Sequence, residues 1–349
     1  MDKIVHLIFT MQVGGAENLL VDIANDQCRY ASVTIIIVNN QYDEALIKRI
    51  SNKVRVIYIG RKEGRLSLGS VLKIWKWLLV YQPDVIHCHQ HNLINLLPFW
   101  RSRSVMTVHT VGVPVNNLKK YKKVFSISGA IQHDLFNRGR LRSLVVYNGV
   151  DVTGIRQRTV HSYTAEKPYQ IVQVSRLHHE VKGQVLAIKV IKDLQDLGYV
   201  NVELNFIGEG PSRPYLEDLA KTLGVAHCVR FWGAKNRSWI YEHLSEFDLL
   251  VQPSLCEGFG LTIIEGIAAG LPVVASRVDG PAEILNNIPS GFLFKVSNPK
   301  EFVAGIKKVI DLTVRNQIGP LCSQSHKMIQ QHYSIRKTAD SYLKEYAAI

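Results

Sequence analysis

Short apolar runs alternate with helical patterns along the first half of the chain. Seven runs predict strands at residues 3–9, 32–40, 54–60, 84–90, 104–110, 123–128 and 143–149. Helical spacing between them predicts helices that include 16–26, 67–82 and 130–138. Because the Val, Ile and Leu runs do not alternate strictly with polar residues, we expect strands buried on both faces, as in parallel sheets. The repetition predicts a doubly wound α/β domain.

The apolar pattern stops after Asp151, and the polar, basic residues 153–168 predict a linker. The alternation of strands and helices then begins again. Strands are predicted at 169–177, 202–208, 228–233, 248–254, 272–278 and 291–296. Helices are predicted at 183–197, 212–223, 261–269, 317–332 and 335–347. Two α/β domains in series are expected to face a deep cleft at the carboxyl ends of their sheets.

Length and composition narrow the class of protein. A chain of 349 residues can form two domains with a core each, and 46% hydrophobic with 20% charged residues is typical of a soluble globular protein. The apolar run near 71–80 contains Lys73 and Lys76, so it is too short and too charged to span a bilayer. We expect no signal peptide, and five scattered cysteines without a C-x-x-C pair favour a reducing cytoplasm.

The positive charge is concentrated in the first half. Residues 1–160 contain 22 Lys and Arg against 10 Asp and Glu, a net +12, whereas residues 161–349 contain 20 against 19, a net +1. This asymmetry favours an anionic partner, either a membrane lipid, a lipid-linked pyrophosphate or nucleic acid, although solubility alone is an alternative. Nucleic acid is disfavoured because no reading module and no basic–aromatic interleaving are present.

Two glutamates in the second half frame the strongest motif. Glu257 and Glu265 stand eight residues apart, with Gly258 and Gly260 between them, after the strand 248–254. A Gly-rich bend from strand to helix leaves backbone N–H groups without helical partners, which suits anions and hydroxyls. A carboxylate accepts two hydrogen bonds and vicinal sugar hydroxyls offer two, so the segment is typical of a site that holds a polyol beside a phosphate.

Two cations precede this motif in the same domain. Arg176 ends the strand 169–177, and Lys182 directly precedes the next helix. Such a pair can clamp a diphosphate and stabilise it as a leaving group, although a basic loop is the simpler interpretation when it is taken alone. Gly208 and Gly210 follow another strand and form either a turn or a further wall of the nucleotide pocket.

The first half offers weaker candidates. Gly14 and Gly15 open the first helix, where a ligand could approach the backbone, and they do not form the dinucleotide pattern G-x-G-x-x-G. His109 ends a predicted strand and would face the cleft. His87, His89 and His91 would share one strand face, but a metal site is disfavoured because no acidic ligand is adjacent and His91 is expected in the loop.

Three further segments have two interpretations each. Ser128 is expected to cap the following helix, which we prefer to a role in the site. The run Lys119–Lys123 is either a solvated face or a surface for lipid headgroups. The amphipathic stretch around Trp75 and Trp77 serves either core packing or membrane-surface contact.

Taken in order, these segments resemble one family over nearly the whole chain. They are GGAE at 14–17, DVIHCH at 84–89, the histidine at 109, NGVD at 148–151, SRL to KG at 175–183, GEGP at 208–211 and EGFGLTIIEG at 257–266. The chain resembles the retaining nucleotide-sugar glycosyltransferases of GT-B fold, in the large bacterial group that builds lipopolysaccharide, capsule and glycolipids. One departure is the spacing from Arg176 to Lys182, which is one residue longer than the commonest form.

The resemblance implies a domain plan and a set of roles. Residues 1–160 would bind the acceptor, 161–332 the nucleotide sugar, and the helix 333–349 would cross back to the N-terminal domain. The catalytic residues would be His109 beside the donor sugar, Arg176 and Lys182 on the diphosphate, and Glu257 on the sugar hydroxyls. The donor-binding residues would be Gly14, Gly15, Gly210, Phe259, Gly260, Leu261, Thr262 and Glu265, with Glu265 on the ribose.

The implied reaction moves a hexosyl-type sugar to an acceptor hydroxyl with retention, needing no metal or cofactor because two cations replace a divalent ion. We slightly prefer a UDP-sugar as donor and expect a lipid-linked or growing glycan as acceptor. The expected location is cytoplasmic, with peripheral attachment to the inner face of the membrane as an option. The alternatives are a sugar-nucleotide epimerase, a phosphorylase and a non-catalytic nucleotide-sugar-binding protein.

Overall fold

The computed structural model describes residues 2–12, 14–64, 67–162 and 166–349. The chain divides into two compact units. The first contains Met1–Asp151 and Tyr333–Ile349, and the second contains Val152–His332.

A seven-stranded parallel sheet forms the centre of the first unit, in the order β3-β2-β1-β4-β5-β6-β7. Its strands are β1 (Lys3–Ile8), β2 (Ser32–Asn39), β3 (Arg55–Arg61), β4 (Val85–Cys88), β5 (Ser104–Val108), β6 (Lys123–Ser126) and β7 (Leu144–Val145). Its helices are α1 (Gly15–Gln27), α2 (Glu44–Lys48), α3 (Leu68–Tyr81), α4 (Val115–Leu118) and α5 (Gly129–Gly139). The central strands are buried on both faces, as their uninterrupted apolar runs predict.

The second unit has a six-stranded parallel sheet in the order β10-β9-β8-β11-β12-β13. Its strands are β8 (Tyr169–Val174), β9 (Val202–Ile207), β10 (Val229–Phe231), β11 (Leu249–Gln252), β12 (Val273–Ser276) and β13 (Gly291–Phe294). Its helices are α6 (His179–Lys182), α7 (Gln184–Asp196), α8 (Arg213–Thr222), α9 (Arg237–His243), α10 (Leu261–Ala268), α11 (Asp279–Leu285), α12 (Pro299–Val314) and α13 (Ile318–His332). Both sheets reverse their strand order beside their first strand, which is the Rossmann-like arrangement.

The final helix, α14 (Ile335–Tyr346), packs on the first unit. It buries Tyr342 and Tyr346 against the core of that unit, and Lys123 Nζ lies 3.1 Å from Glu345 Oε2. Gly149 makes this approach possible, because a Cβ there would lie 2.7 Å from Thr338 Oγ1. The same contact explains why the strand predicted at 143–149 ends at Val145: residues 147–149 turn to meet α14 instead of extending the sheet.

The predicted linker differs from the structure, as does the predicted boundary at residue 160, because the chain after Asp151 already packs on the second unit. Val152 and Ile155 are buried, and the Arg158 N–H donates to the Ala269 carbonyl at 2.8 Å. The Arg158 guanidinium also lies 2.6 Å from Asp248 Oδ1. Residues 163–165 of the predicted linker, like Val13 of the predicted Gly14–Gly15 loop, lie outside the described residues.

Most predicted elements are confirmed to within a few residues; the helix predicted at 67–82, for example, spans Leu68–Tyr81. Predicted strands tend to run too far at their carboxyl ends, because polar residues there leave the sheet to form the loops that build the site. The Ser128 cap is confirmed, since its hydroxyl accepts from the Ile131 N–H at 3.3 Å. Among the described residues, no helix has the length and apolar character needed to cross a membrane.

Candidate functional site

The loops that follow β8 and β11 meet at the centre of the second sheet. These two strands are neighbours, and the strand order reverses between them. In open α/β sheets, ligands bind outside the carboxyl ends of the strands at this reversal. The segment between β8 and α7 contains Arg176 and, as the last residue of α6, Lys182, and the loop after β11 contains Glu257 and Gly260. The fold therefore brings the two predicted cations to the same sheet edge as the predicted motif.

Lys182 and Glu257 form an ion pair across this edge. Lys182 Nζ lies 2.7 Å from Glu257 Oε2, and the two side chains are 24% and 16% exposed. A pair at this depth is screened less than a surface pair, yet both groups can still be reached from solvent. A cation and an acceptor carboxylate therefore stand side by side, which suits a ligand with both phosphate and hydroxyl groups.

Backbone contacts fix the position of Lys182. Gly183, which follows it, has φ +69°, and a Cβ there would lie 2.8 Å from the Pro253 carbonyl carbon. The Leu255 N–H donates to the Val181 carbonyl at 2.8 Å, and the Gln173 amide donates to the Lys182 carbonyl at the same distance. The segments after β8 and β11 are thus joined by a main-chain hydrogen bond, which holds the backbone on both sides of the ion pair in place.

Gln252 is a site residue that the sequence analysis missed. Its buried side-chain amide donates to Ser254 Oγ at 2.8 Å and to Glu257 Oε2 at 3.3 Å, and its oxygen accepts from Thr262 Oγ1 at 3.4 Å. The Gln252 side chain therefore orients Glu257 and connects it to Thr262 in the first turn of α10. A polar residue that ends an apolar strand was the available signal, and its partners became visible only in the fold.

The amino end of α10 supplies further donors. Gly260 caps the helix with φ +106°, and the backbone N–H groups of Leu261 and Thr262 have no hydrogen-bond partner among the described residues. Such free N–H groups and the positive end of the helix favour an anion. Glu265 lies one turn into this helix and is half-buried. Phe259 is buried and its backbone packs on Gly280, where a Cβ would lie 2.6 Å from the Phe259 carbonyl carbon.

Arg176 and the Gly208–Gly210 loop flank the pair. The Arg176 side chain is exposed and has no ion-pair partner within the described parts of the chain, so its charge is open to a ligand. The two glycines have a packing role: a Cβ at Gly208 or Gly210 would lie 2.9 Å or 2.8 Å from the carbonyl carbon of Ser175 or Leu177. These contacts support the turn interpretation.

In the first unit, Gly14 and Gly15 open α1 as predicted. The Glu17 side chain folds over Gly14, where a Cβ would lie 3.3 Å from its carboxyl carbon, and burial raises the pKa of Glu17. Space beside Gly15 is open, since a Cβ there would meet nothing within 4 Å. Neither position requires a glycine for packing, because the flexible Glu17 carboxyl group can move away from a Cβ at residue 14 and the space beside Gly15 is open.

His109 stands at the end of a stack of imidazoles that the sequence analysis did not assemble. His6 on β1 pairs in register with His87 on β4, and ring centroids lie 4.6 Å apart for His87 and His89 and 6.0 Å apart for His89 and His109. His91 lies beyond the strand, as expected, and begins a 3₁₀ helix. The missing partner, His6, is remote in sequence, so only strand pairing reveals it.

The hydrogen-bond partners of the stacked imidazoles indicate whether the rings are neutral or bind a metal ion. His6 Nδ1 lies 3.2 Å from His89 Nε2, and His6 Nε2 lies 2.8 Å from Gln27 Oε1. His87 contacts the Tyr346 hydroxyl at 2.5 Å and Thr107 Oγ1 at 2.7 Å. Ligand atoms of His6, His87 and His89 all lie within 4.8 Å of one another, so their spacing also allows a metal ion. The neutral partners of His6 and His87 favour a hydrogen-bonded network of neutral rings instead.

We expect acid to destabilise the first unit through this stack. Desolvation lowers the pKa of His6 to about 4 and holds the pKa of His87 and His89 well below the ordinary value. Between pH 6.5 and 4, the unfolded chain binds protons that the folded chain does not, so the free energy of unfolding falls as pH falls. For His6, the loss of unfolding free energy at pH 5 is about 2 kcal/mol. Thermal unfolding from pH 7 to pH 5 measures it.

The control for this pH dependence is His227→Gln, at an exposed histidine of the second unit. It should keep the wild-type pH dependence, whereas His6→Gln should flatten the dependence by about 2 kcal/mol between pH 7 and pH 5. An unfolding temperature that stays constant over this range in the wild type would contradict the expectation.

Comparisons with known proteins agree with this geometry. The family model "Glycosyl transferases group 1" matches residues 157–332, and "Glycosyltransferase Family 4" matches residues 13–153. An uncharacterised glycosyltransferase of Methanocaldococcus jannaschii is 29% identical, over 65% of this chain and 66% of that protein. The lipopolysaccharide core biosynthesis glycosyltransferase LpsD of Rhizobium meliloti is 24% identical over 80% of each chain.

A solved structure shares the whole fold. Anabaena HepE in complex with UDP superposes with a TM-score of 0.79 at 20% identity, covering 99% of this chain and 100% of that chain, and HepE is also known with UDP-glucose. The likeness confirms the predicted fold class of two Rossmann-like domains. The chain spans less than two thirds of the length of several curated relatives, down to 32% of the Staphylococcus aureus protein CapJ.

Proposed function

Because this chain belongs to the group 1 glycosyl transferases, we propose that it transfers a hexosyl-type sugar from a nucleoside-diphosphate sugar to an acceptor hydroxyl, with retention at the anomeric carbon. The observation that carries the proposal is the Lys182–Glu257 pair at the sheet reversal, 2.7 Å between Nζ and Oε2. A diphosphate and a sugar need a cation and a hydroxyl acceptor at adjoining positions, and this pair supplies both.

The donor roles follow from the chemistry of each group. Lys182 and the exposed Arg176 neutralise the diphosphate, and the free N–H groups of Leu261 and Thr262 donate to its oxygens. Glu257, oriented by Gln252, accepts from the hydroxyls of the sugar that moves. Glu265, farther along α10, holds the ribose hydroxyls. The roles of Gly14, Gly15, Gly210 and His109 stay predictions from the family resemblance.

Retention follows from a front-face reaction. The acceptor oxygen bonds to the anomeric carbon on the face from which the diphosphate leaves, through an oxocarbenium-like state. The bond from the anomeric carbon to the diphosphate oxygen breaks, and a diphosphate oxygen takes the acceptor proton. The cations stabilise the negative charge that develops on the leaving group, so the step needs neither a protein nucleophile nor a metal ion.

A UDP-sugar is the favoured donor, supported by the UDP and UDP-glucose complexes of HepE. A panel of UDP-, GDP-, ADP- and TDP-sugars tests this choice by thermal shift. We expect the UDP-sugar to stabilise the fold by about 2.7 kcal/mol at a hundredfold excess over its Kd, with smaller shifts from the others. Stabilisation by a GDP-sugar alone would overturn the donor assignment.

Product analysis tests the reaction. We expect free nucleoside diphosphate only when an acceptor is present, an unchanged anomeric configuration in the product, and full activity in EDTA. Interconversion of the nucleotide sugar without acceptor would indicate an epimerase, and dependence on inorganic phosphate would indicate a phosphorylase. Donor binding without any turnover would indicate a binding protein. Loss of activity in EDTA that manganese restores would overturn metal independence.

The acceptor is proposed to be a lipid-linked or growing glycan. Two observations support it: the lipopolysaccharide role of the Rhizobium relative, and the net +12 of residues 1–160, which suits an anionic acceptor or membrane surface. The enzyme then works in the cytoplasm at the inner face of the membrane.

A further inference from the structure

Helix α3 exposes an apolar ridge to solvent. Its only buried side chains are Ser70, Ile74 and Leu78, which face the sheet. On the opposite side, a row at helical spacing stays exposed: Leu68 at 74%, Leu72 at 51% and Leu79 at 64%. A helix of a globular domain normally presents polar residues there. The sequence interpretation of this stretch as core therefore accounts for one face of the helix.

A second segment extends the ridge. Phe99 is 73% exposed, and its ring meets that of Trp75 edge-on with 5.1 Å between centroids. Trp75 is fixed in turn, because its Nε1 donates to the Leu96 carbonyl at 2.7 Å. An apolar surface is thus held in place by two segments of the first unit; we call it the α3 face (Leu68, Leu72, Leu79 and Phe99).

Basic residues lie beside α3. Lys3 and Arg55 line one pocket together with Lys73, Lys76 and Trp77 of the helix, and no Asp or Glu is among the described residues that line it. Asp84, which follows the helix in sequence, accepts from the backbone N–H groups of Asp2 and Lys3. On α3 itself, Lys73 and Lys76 are exposed and have no ion-pair partner among the described residues. The surface therefore combines large apolar groups with free positive charge.

We propose that the α3 face docks on an anionic membrane, with its apolar side chains in the headgroup–acyl boundary and Lys73 and Lys76 on the lipid phosphates. Apolar burial and attraction to anionic lipid act together in such interfacial helices. A second copy of the chain fits less well, since an isologous contact would bring the lysines of both copies together. The proposal deepens the proposed function, because docking would place the enzyme where a lipid-linked acceptor is found.

The other basic surface suits a membrane less well. In the run Lys119–Lys123, Lys120 donates to the side chains of Asn95 and Asn117, and Lys123 pairs with Glu345. The charge of Lys123 is therefore compensated within the unit, whereas Lys120 keeps its charge, because its partners are neutral amides. What distinguishes the α3 face is its exposed apolar side chains: Tyr121, the aromatic residue of the run, is buried, whereas Leu68, Leu72 and Leu79 are exposed.

Vesicle co-sedimentation of the full chain tests the proposal. The probes are vesicles of phosphatidylcholine alone and with about a third phosphatidylglycerol. We expect binding to the anionic vesicles that weakens at high salt. Leu72→Ser with Leu79→Ser should weaken it at least about tenfold, and Lys73→Glu with Lys76→Glu should do the same. The matched control, Leu197→Ser with Val200→Ser, changes exposed apolar residues of the second unit and should bind as the wild type does.

Three outcomes would overturn the docking site: wild-type binding that is absent or equal on both vesicles, α3 variants that bind as the control does, and a self-association of the chain that the α3 variants abolish while vesicle binding persists. Thermal shift by UDP-glucose separates this site from the proposed function. The α3 variants should keep that shift. If the protein binds vesicles but transfers no sugar, the docking site stands and the proposed enzymatic function is wrong.

Discussion

Replacing Lys182 with alanine is expected to lower kcat for sugar transfer by about 10²- to 10³-fold, or about 3 to 4 kcal/mol of transition-state stabilisation. In the proposed reaction, the ammonium group, 2.7 Å from Glu257, supplies positive charge where the diphosphate leaves, and alanine carries no charge to replace it. Steady-state transfer rates with the UDP-sugar measure the loss.

A control separates this effect from the loss of any ion pair. Lys192 pairs with Asp196 on α7 of the same unit, at an exposed position, and Lys192→Ala should keep wild-type kcat. Glu257→Ala should also lower kcat, since the sugar hydroxyls lose their acceptor. If Lys182→Ala or Glu257→Ala turned over at the wild-type rate on the true substrates, the donor assignment would be wrong.

Gly183→Ala is expected to destabilise the second unit by about 3 to 4 kcal/mol, lowering its unfolding temperature by about 10 °C. Gly183 has φ +69°, and a Cβ would lie 2.8 Å from the Pro253 carbonyl carbon. Backbone strain at residue 183 and displacement of the loop after β11 therefore both lower the free energy of unfolding. Calorimetry of the full chain measures the transition, and donor binding should weaken because the same displacement separates Lys182 from Glu257.

Gly224→Ala is the matched control, because it measures the cost of a positive φ for alanine without a steric clash. Gly224 has φ +72° in the same unit, and a Cβ there would meet nothing within 4 Å. We expect a cost of about 1 kcal/mol and unchanged donor binding. Equal effects of the two substitutions would show that the contact between the β8 and β11 loops does not hold the site together.

The residues of the site illustrate how far sequence carries. Arg176, Lys182 and the segment Glu257–Glu265 were recognisable because strand ends of a parallel sheet collect at one edge, and because their residue types suit a diphosphate and a sugar. Gln252 was not recognisable, since a glutamine at the end of an apolar strand has no distinguishing neighbour in sequence. Its three side-chain partners come from the strand end and the following helix.

In the first unit, the sequence pattern predicted less of the residue cluster than strand pairing revealed. Alternation correctly placed His87 and His89 on one side of the chain, and His91 was expected in the loop, yet the pattern gave no indication of His6. Periodicity describes one strand at a time, whereas the stack depends on β1 lying beside β4, a pairing between residues 81 positions apart. The same limit applies to α3, whose period predicted a helix but could not say which face the sheet would cover.

The sequence by itself determined the element order, two parallel α/β units and the chemical character of the donor segment, because apolar period and loop chemistry are local properties of the chain. Tertiary structure decided the Lys182–Glu257 contact, the imidazole stack, the attachment of residues 152–158 to the second unit and the exposure of the α3 face. Each of these depends on which strands and helices pack together, and packing is set by contacts between residues far apart in the chain.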